Sequence, residues 1–301
     1  MGGAIDSVAL FLASPLATCA RPQPPCILVP EATEDSRAMD YAGYERIRVT
    51  RSGRVLTLTL FNPARMNAVD GRMHHELADI FYDVQEDESV DLVVLQGEGN
   101  AFSAGGDIEW MRDAAEGKIQ GPTTVEGKKI IFGLLDLEKP IVAKVRGPAI
   151  GLGCTIALFC DVIFASETAR FADPHVKVGV VAGDGGAVIW PQLVGYARAK
   201  EYLMTGDPIP AREAERIGLI NHVVPDAELD ARVDAFVARL AAGAPQAIKY
   251  TKVAVNLRLK EIAHTILDAS MAYEMLTFAT NDHREAVAAF LEKRKPVFTG
   301  R

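Results

Sequence analysis

The chain has 301 residues, 49% apolar and 24% charged, with a formal net charge of −8. That balance fits a globular protein with a substantial core, and it argues against a general nucleic-acid or anionic-membrane surface, so a polyanionic ligand has to be held by a local patch. No apolar stretch reaches membrane-spanning length, and Cys19, Cys26, Cys154 and Cys160 form no CxxC pair and have no histidine at ligand spacing, which reads as a reduced, cytoplasmic protein without a metal site.

The opening MGGAIDSVALFLASPLATCA has an apolar centre but no basic flank, and it carries Asp6; a Pro-, Glu- and Asp-rich stretch follows. Residues 1–39 therefore read as a disordered leader or an upstream start, with the working chain beginning near Met39. ERIRVTRSGRVLTLTLF alternates about Ser52-Gly53 and predicts a β-hairpin. A helix over 71–85 and a buried strand in DLVVLQG follow, then the strand KPIVAKVRG, a short buried helix in GLGCTIALFC and the strand DVIFAS. Strands alternating with helices predict an α/β core over residues 40–195. From 196 to 301 the spacing is mostly helical, through ARAKEYLMTG, AREAERIG, DAELDARVDAFVARLAAG, APQAIKYTKVAVNL and residues 260–280, with LINHVV as the one strand candidate.

Three glycine-bearing segments stand out: GEGNAFSAGGD (97–107), RGPAIGLGC (146–154) and AGDGG (182–186). None has the GxxxxGK[ST] or strand-borne GxGxxG spacing of a nucleotide phosphate loop. They either close tight turns or do more. SAGGD ends a strand-to-helix turn and GLGC opens a helix, so each can present an unpaired backbone N–H. Two such donors converging form an oxyanion hole, where losing one donor typically costs about 2.7–4 kcal/mol of transition-state stabilisation.

The ordered segments NPARMNAVD, AFSAGGDI, KPIVAKVRGPAIGLGCTIALFCDVIFAS, ARFADPHVKVGV and FATNDHREAVAAFLEKRKPVF closely resemble the crotonase, or enoyl-CoA hydratase/isomerase, superfamily from about Tyr44 onward. The resemblance implies an α/β spiral of ββα units followed by helices that assemble homotrimers or dimers of trimers. It implies an acyl-CoA substrate, with coenzyme A arriving as part of that substrate and no separate cofactor or metal. The amides that would polarise the thioester match Gly106 and Leu152, the latter a leucine where glycine is commoner. Positions matching the CoA contacts are Arg65, Met66, Ala68, Ala104, Asp107 and Ile108, with Phe290 and Lys293 for the adenine and ribose phosphate. Arg65 reads equally as a solvated turn arginine, and EKRK supplies a local basic cluster.

The resemblance breaks at the acid and base. Hydratases of this family use two glutamates, and the matching positions hold Thr155 and His175. His175 and Asp184, in the AGDGG loop, become the acid/base candidates, and burial among VGVVAG and AVIW is expected to raise the Asp184 pKa. Asp161 and Asp173 read as caps or turn formers. His74 and His75 are adjacent on a helix, facing different ways and forming no metal pair. Trp110 either shapes the acyl pocket or packs on the surface, and residues 114–125 read as a loop bearing on chain specificity. The implied activity is hydratase/isomerase chemistry through an oxyanion-stabilised enolate. The rivals are thioester hydrolysis, C–C bond hydrolysis and double-bond isomerisation, and, from another class, a non-catalytic acyl-CoA-binding subunit.

Overall fold

The alternating residues after Tyr44 form the expected hairpin: β1 (Ile47–Ser52) pairs antiparallel with β2 (Val55–Leu60), Ile47 opposite Leu60. Gly53 supplies the positive φ of the turn, 57°. The computed structural model describes residues 38–301; the leader up to residue 37, with Cys19 and Cys26, lies outside them.

Helix α1 (Gly71–Glu86) starts where the Asp70 side chain accepts from the Met73 N–H, and it buries Met73, Leu77, Ile80, Phe81 and Val84 at helical spacing. In chain order there follow β3 (Leu92–Gly97), α2 (Ile108–Ala115), α3 (Thr124–Asp136), β4 (Ile141–Val145), β5 (Pro148–Ile150), α4 (Leu152–Leu158), β6 (Val162–Ser166) and β7 (Arg170–Ala172). A 3-10 turn over His175–Val178 leads to α5 (Gly186–Thr205), β8 (Ile209–Pro210), α6 (Ala211–Arg216), β9 (His222–Val224), α7 (Leu229–Ala241), α8 (Pro245–Phe278) and α9 (Asn281–Leu291).

The strands build a six-stranded sheet in the order β1-β2-β3-β4-β6-β9, parallel from β2 onward, and a three-stranded sheet β5-β7-β8. Units β4-β5-α4 and β6-β7-α5 each send one strand to each sheet, and the β3 unit adds a bridge from Ser103 to Ala149. This is the spiral of ββα repeats. Side chains alternate across the large sheet: Leu95, Ala143 and Ile163 join the main core with α1 and α3, whereas Val94, Val142 and Phe164 pack on Val233 and Val237 of α7. Cys154 and Cys160 are buried in the main core.

Three elements differ from expectation. The run TVEGKKIIFGLLD forms α3, capped by the Thr123 side chain, where no helix was expected. The two helical stretches after Gly243 are one 34-residue helix, α8, because no glycine or proline interrupts it after Pro245. GAVIWPQLVG belongs to α5, which tolerates Pro191 inside and kinks at Gly195 (φ 77°, ψ 161°). Among the described residues no helix is long and apolar enough to cross a membrane.

Candidate active site

The two glycine turns meet because glycine lets their backbones touch. A Cβ on Gly105 (φ 84°) would lie 2.9 Å from the Ile150 carbonyl oxygen, and one on Gly153 would lie 2.5 Å from the Ser103 Cβ. Buried Asn67 braces the first turn, donating from Nδ2 to the carbonyls of Glu98 (2.9 Å) and Ala101 (2.8 Å). Ser103 Oγ donates to the Asn67 carbonyl at 2.8 Å. The amides of Gly106 and Leu152 find no acceptor among the described residues, and both residues line one cavity of about 450 Å³. Leu152 is the first residue of α4, where an amide has no intrahelical partner.

His175 and Asp184 face the same cavity. His175 sits on the 3-10 turn between two carboxylates: Nδ1 bonds Asp173 Oδ1, and Nε2 lies 3.4 Å from Asp184 Oδ2. Asp173, expected to be a cap or turn former, is instead a fully buried partner of the imidazole. Its Oδ2 has no partner among the described residues, and a Cβ on Gly186 would lie 2.2 Å from it, so the glycine that begins α5 makes room for the carboxylate. Thr155, at one vacated glutamate position, places Oγ1 3.4 Å from Asp184 Oδ1.

The electrostatics overturn the expected rise of the Asp184 pKa. Burial does push that carboxyl up, but the charge and hydrogen bond of His175 outweigh it, and the net shift is downward. Burial works against charge on His175, yet Asp173 and Asp184 hold its pKa well above the ordinary value. An ion pair results. Opposite it, Glu274 of α8 lines the cavity, 6% exposed, with no hydrogen bond to its side chain among the described residues. Burial, then the charge of Asp184, push the Glu274 carboxyl up to about 8, so it holds its proton at neutral pH. The Gly183 backbone passes beside it: a Cβ there would lie 2.8 Å from Glu274 Oε2.

Sequence reasoning missed Glu274, although a signal was present. Leu267, Met271 and Phe278 stand at helical spacing with it, so one glutamate interrupts an apolar stripe that faces the core and cavity. His74 is buried and His75 exposed, as expected of neighbours on different faces, yet both rings reach Glu126. Their Nδ1 atoms lie 2.9 and 3.0 Å from the two oxygens of Glu126, because α3 packs across α1. Trp110, Met111, Met271, Met275 and Phe278 form the apolar walls, so Trp110 borders the pocket.

The expected CoA positions divide. Ala104, Ile108 and Phe290 line the cavity, whereas Arg65, Met66, Ala68, Asp107 and Lys293 lie outside its lining. Arg65 is ion-paired with Asp107 (3.2 Å) and Glu109 (2.6 Å), and Asp107 caps α2 through the amides of Glu109 and Trp110. In the EKRK cluster Arg294 is paired with Glu285 and, at 2.6 Å, Glu292.

Residues 50–301 match the sequence pattern of the Enoyl-CoA hydratase/isomerase family. The chain is 37% identical over 262 residues to crotonyl-CoA hydratase of Syntrophomonas wolfei, covering 85% of this chain and 98% of the relative. Its fold superposes on an enoyl-CoA hydratase from Mycobacterium avium subsp. paratuberculosis with a TM-score of 0.78 at 30% identity, covering 85% and 99% of the two chains. A β-diketone hydrolase from the cyanobacterium Anabaena, bound to (S)-3-oxocyclohexyl acetic acid, aligns with a TM-score of 0.71 at 29% identity over 79% and 95%.

Proposed function

The chain belongs to the enoyl-CoA hydratase/isomerase family, whose enzymes act on acyl-CoA thioesters, and we propose that it adds water to a 2-enoyl thioester with a non-standard acid and base. The thioester oxygen accepts from the amides of Gly106 and Leu152, which stabilise it as it gains charge. Asp184 takes the proton of the attacking water while His175, braced by Asp173, keeps that carboxylate ionised and oriented. Glu274 delivers its proton to the α-carbon. The cluster gains one proton as it loses another, so its charge is the same before and after the addition, and a transfer from Asp184 to Glu274 resets it.

The observation that carries this reading is the convergence of buried Glu274, with its pKa raised, and Asp184, with its pKa lowered, on the cavity that is also lined by Gly106 and Leu152. Addition of water needs an acid and a base at once, and a pair of groups whose pKa values are pushed apart supplies them. Mass-spectrometric product analysis on saturated, 2-enoyl, 3-enoyl and 3-keto acyl-CoA thioesters tests it. Reversible gain of one water on 2-enoyl substrates is expected. An equal-mass isomer or released CoA would replace hydration with isomerisation or thioester hydrolysis, and tight binding without any product would leave a binding subunit.

C–C hydrolysis of a β-dicarbonyl substrate is favoured as a second reading by the likeness to the β-diketone hydrolase. Water would add to the ketone carbonyl, the C–C bond would break, and the carbon released as enolate would take the Glu274 proton. Cleavage of 3-keto substrates into two acyl fragments is the signature. For assembly, the exposed Val255, Leu257, Tyr273 and Leu276 of α8 support a homotrimer or dimer of trimers built through residues 196–301, with the catalytic spiral in 40–195. Light scattering checks the mass.

A further inference from the structure

His74 takes no part in the chemistry above, yet it lines the same cavity. Its side chain is 7% exposed, with Nδ1 2.9 Å from Glu126 Oε2 in the first turn of α3, and its ring lies 5.6 Å from that of Trp110. Burial opposes ionisation of Glu126, but hydrogen bonds from His75 and His74 prevail and hold it below the usual carboxylate range. An ionised carboxylate can only accept, so the imidazole proton sits on Nδ1. Burial also pushes the His74 pKa below its ordinary value, against the pull of Glu126, and the ring is neutral near pH 7. Nε2 is then a bare acceptor, and the one hydrogen-bond partner of the ring among the described residues is Glu126, at Nδ1.

An acceptor left free at the wall of a ligand cavity is completed by water or by the ligand. Neighbouring walls of Val69, Trp110 and Met111 offer nothing polar from their side chains except the indole N–H, which donates to the Gln120 carbonyl. A substrate carboxylate would meet the lone pair and the Glu126 charge behind it, and a carbonyl brings no proton. A hydroxyl donates one without carrying charge into an apolar wall.

We propose that His74 is a specificity residue whose free ring nitrogen accepts a hydrogen bond from a hydroxyl on the acyl chain, so that hydroxylated acyl thioesters are selected over plain alkyl ones of equal length. The proposal rests on the thioester reading above. Its test compares kcat/KM for 4-, 5- and 6-hydroxy-2-enoyl-CoA with the alkyl thioester of the same length, in the unmodified protein, in His74→Phe and in Glu126→Gln. A preference of about tenfold is expected at one hydroxyl position. His74→Phe should erase it while turnover of the alkyl substrate persists. Glu126→Gln, which frees the ring to carry its proton on either nitrogen, should weaken it and serves if the phenylalanine variant does not fold. Equal use of both substrates by the unmodified protein, or a preference that both variants retain, overturns the proposal. So does equal loss of both activities in folded His74→Phe, which would place His74 in the reaction itself. No turnover of any thioester would instead remove the underlying reading.

Discussion

Two buried glutamates show how differently this fold treats the same side chain. Glu76 of α1, 3% exposed, accepts from the amides of Glu45, Arg46 and Ile47 at 2.8–2.9 Å and from Arg72 at 2.7 Å, which ties the hairpin to the helix. Glu274 of α8 is nearly as buried, its carboxyl accepts no hydrogen bond among the described residues, and it borders a cavity. Surrounded by donors, a carboxylate acts as a structural tie. One deprived of donors and placed near another carboxylate keeps its proton and becomes an acid.

The sharpest way to break the comparison is to neutralise each glutamate. Glu274→Gln keeps the shape and removes the proton donor, so turnover should fall about 10²–10⁴-fold with the fold intact, as steady-state kinetics and circular dichroism would show. An unchanged rate would make Glu274 a bystander. Glu76→Gln should do the reverse: denaturant unfolding should reveal a loss of about 1.5–3 kcal/mol, while turnover per folded molecule stays the same. Gly183→Ala probes the approach to Glu274 directly. Its Cβ would lie 2.4 Å from the Ser270 carbonyl oxygen and 2.6 Å from the Glu274 Cβ, and a stability loss of about 1–3 kcal/mol with reduced turnover is expected.

The effect that is smallest per step is a pH slope. The Glu274 pKa is raised from 4.5 to about 8, so between those values the folded chain holds a proton that the unfolded chain has released. Its stabilising contribution is complete below the lower value and is lost as pH rises through the upper one. The slope is at most about 1.4 kcal/mol per pH unit. Unfolding free energies measured across this window should fall with pH more steeply in the unmodified protein than in Glu274→Gln, and turnover of the unmodified protein should fall as pH rises through about 8. Parallel stability curves would contradict the assigned shift.

Much of this was legible in the residues themselves. The hairpin, α1, β3, β4, α4 and β6 follow from alternation, helical spacing and buried runs, and the ordered glycine segments pointed to two converging amides before any distance was known. The proposed acid and base were legible only in part. His175 and Asp184 could be named because they stand in recognisable segments. Asp173 looked like a turn residue, since nothing local says that its carboxylate turns inward to the imidazole two residues on. Helix α3 went unread for a similar reason: its cap and its apolar run were both present, but the polar loop before it hid where the periodicity began.

By itself, the sequence determined the alternation of strands and helices and the turns that could bare two amides, because periodicity and glycine conformation act over a few residues, while the ββα repeat was what the family resemblance implied. Tertiary structure alone decided the charge states in the cavity. Asp184 was expected to rise and falls instead, because a shift depends on which charge lies a few ångströms away, and that charge is set by packing. Glu274 meets Asp184 across 90 residues of chain, and His74 meets Glu126 across 52. Such meetings between distant segments raise the pKa of an ordinary helical glutamate and fix which nitrogen of an ordinary histidine faces a carboxylate.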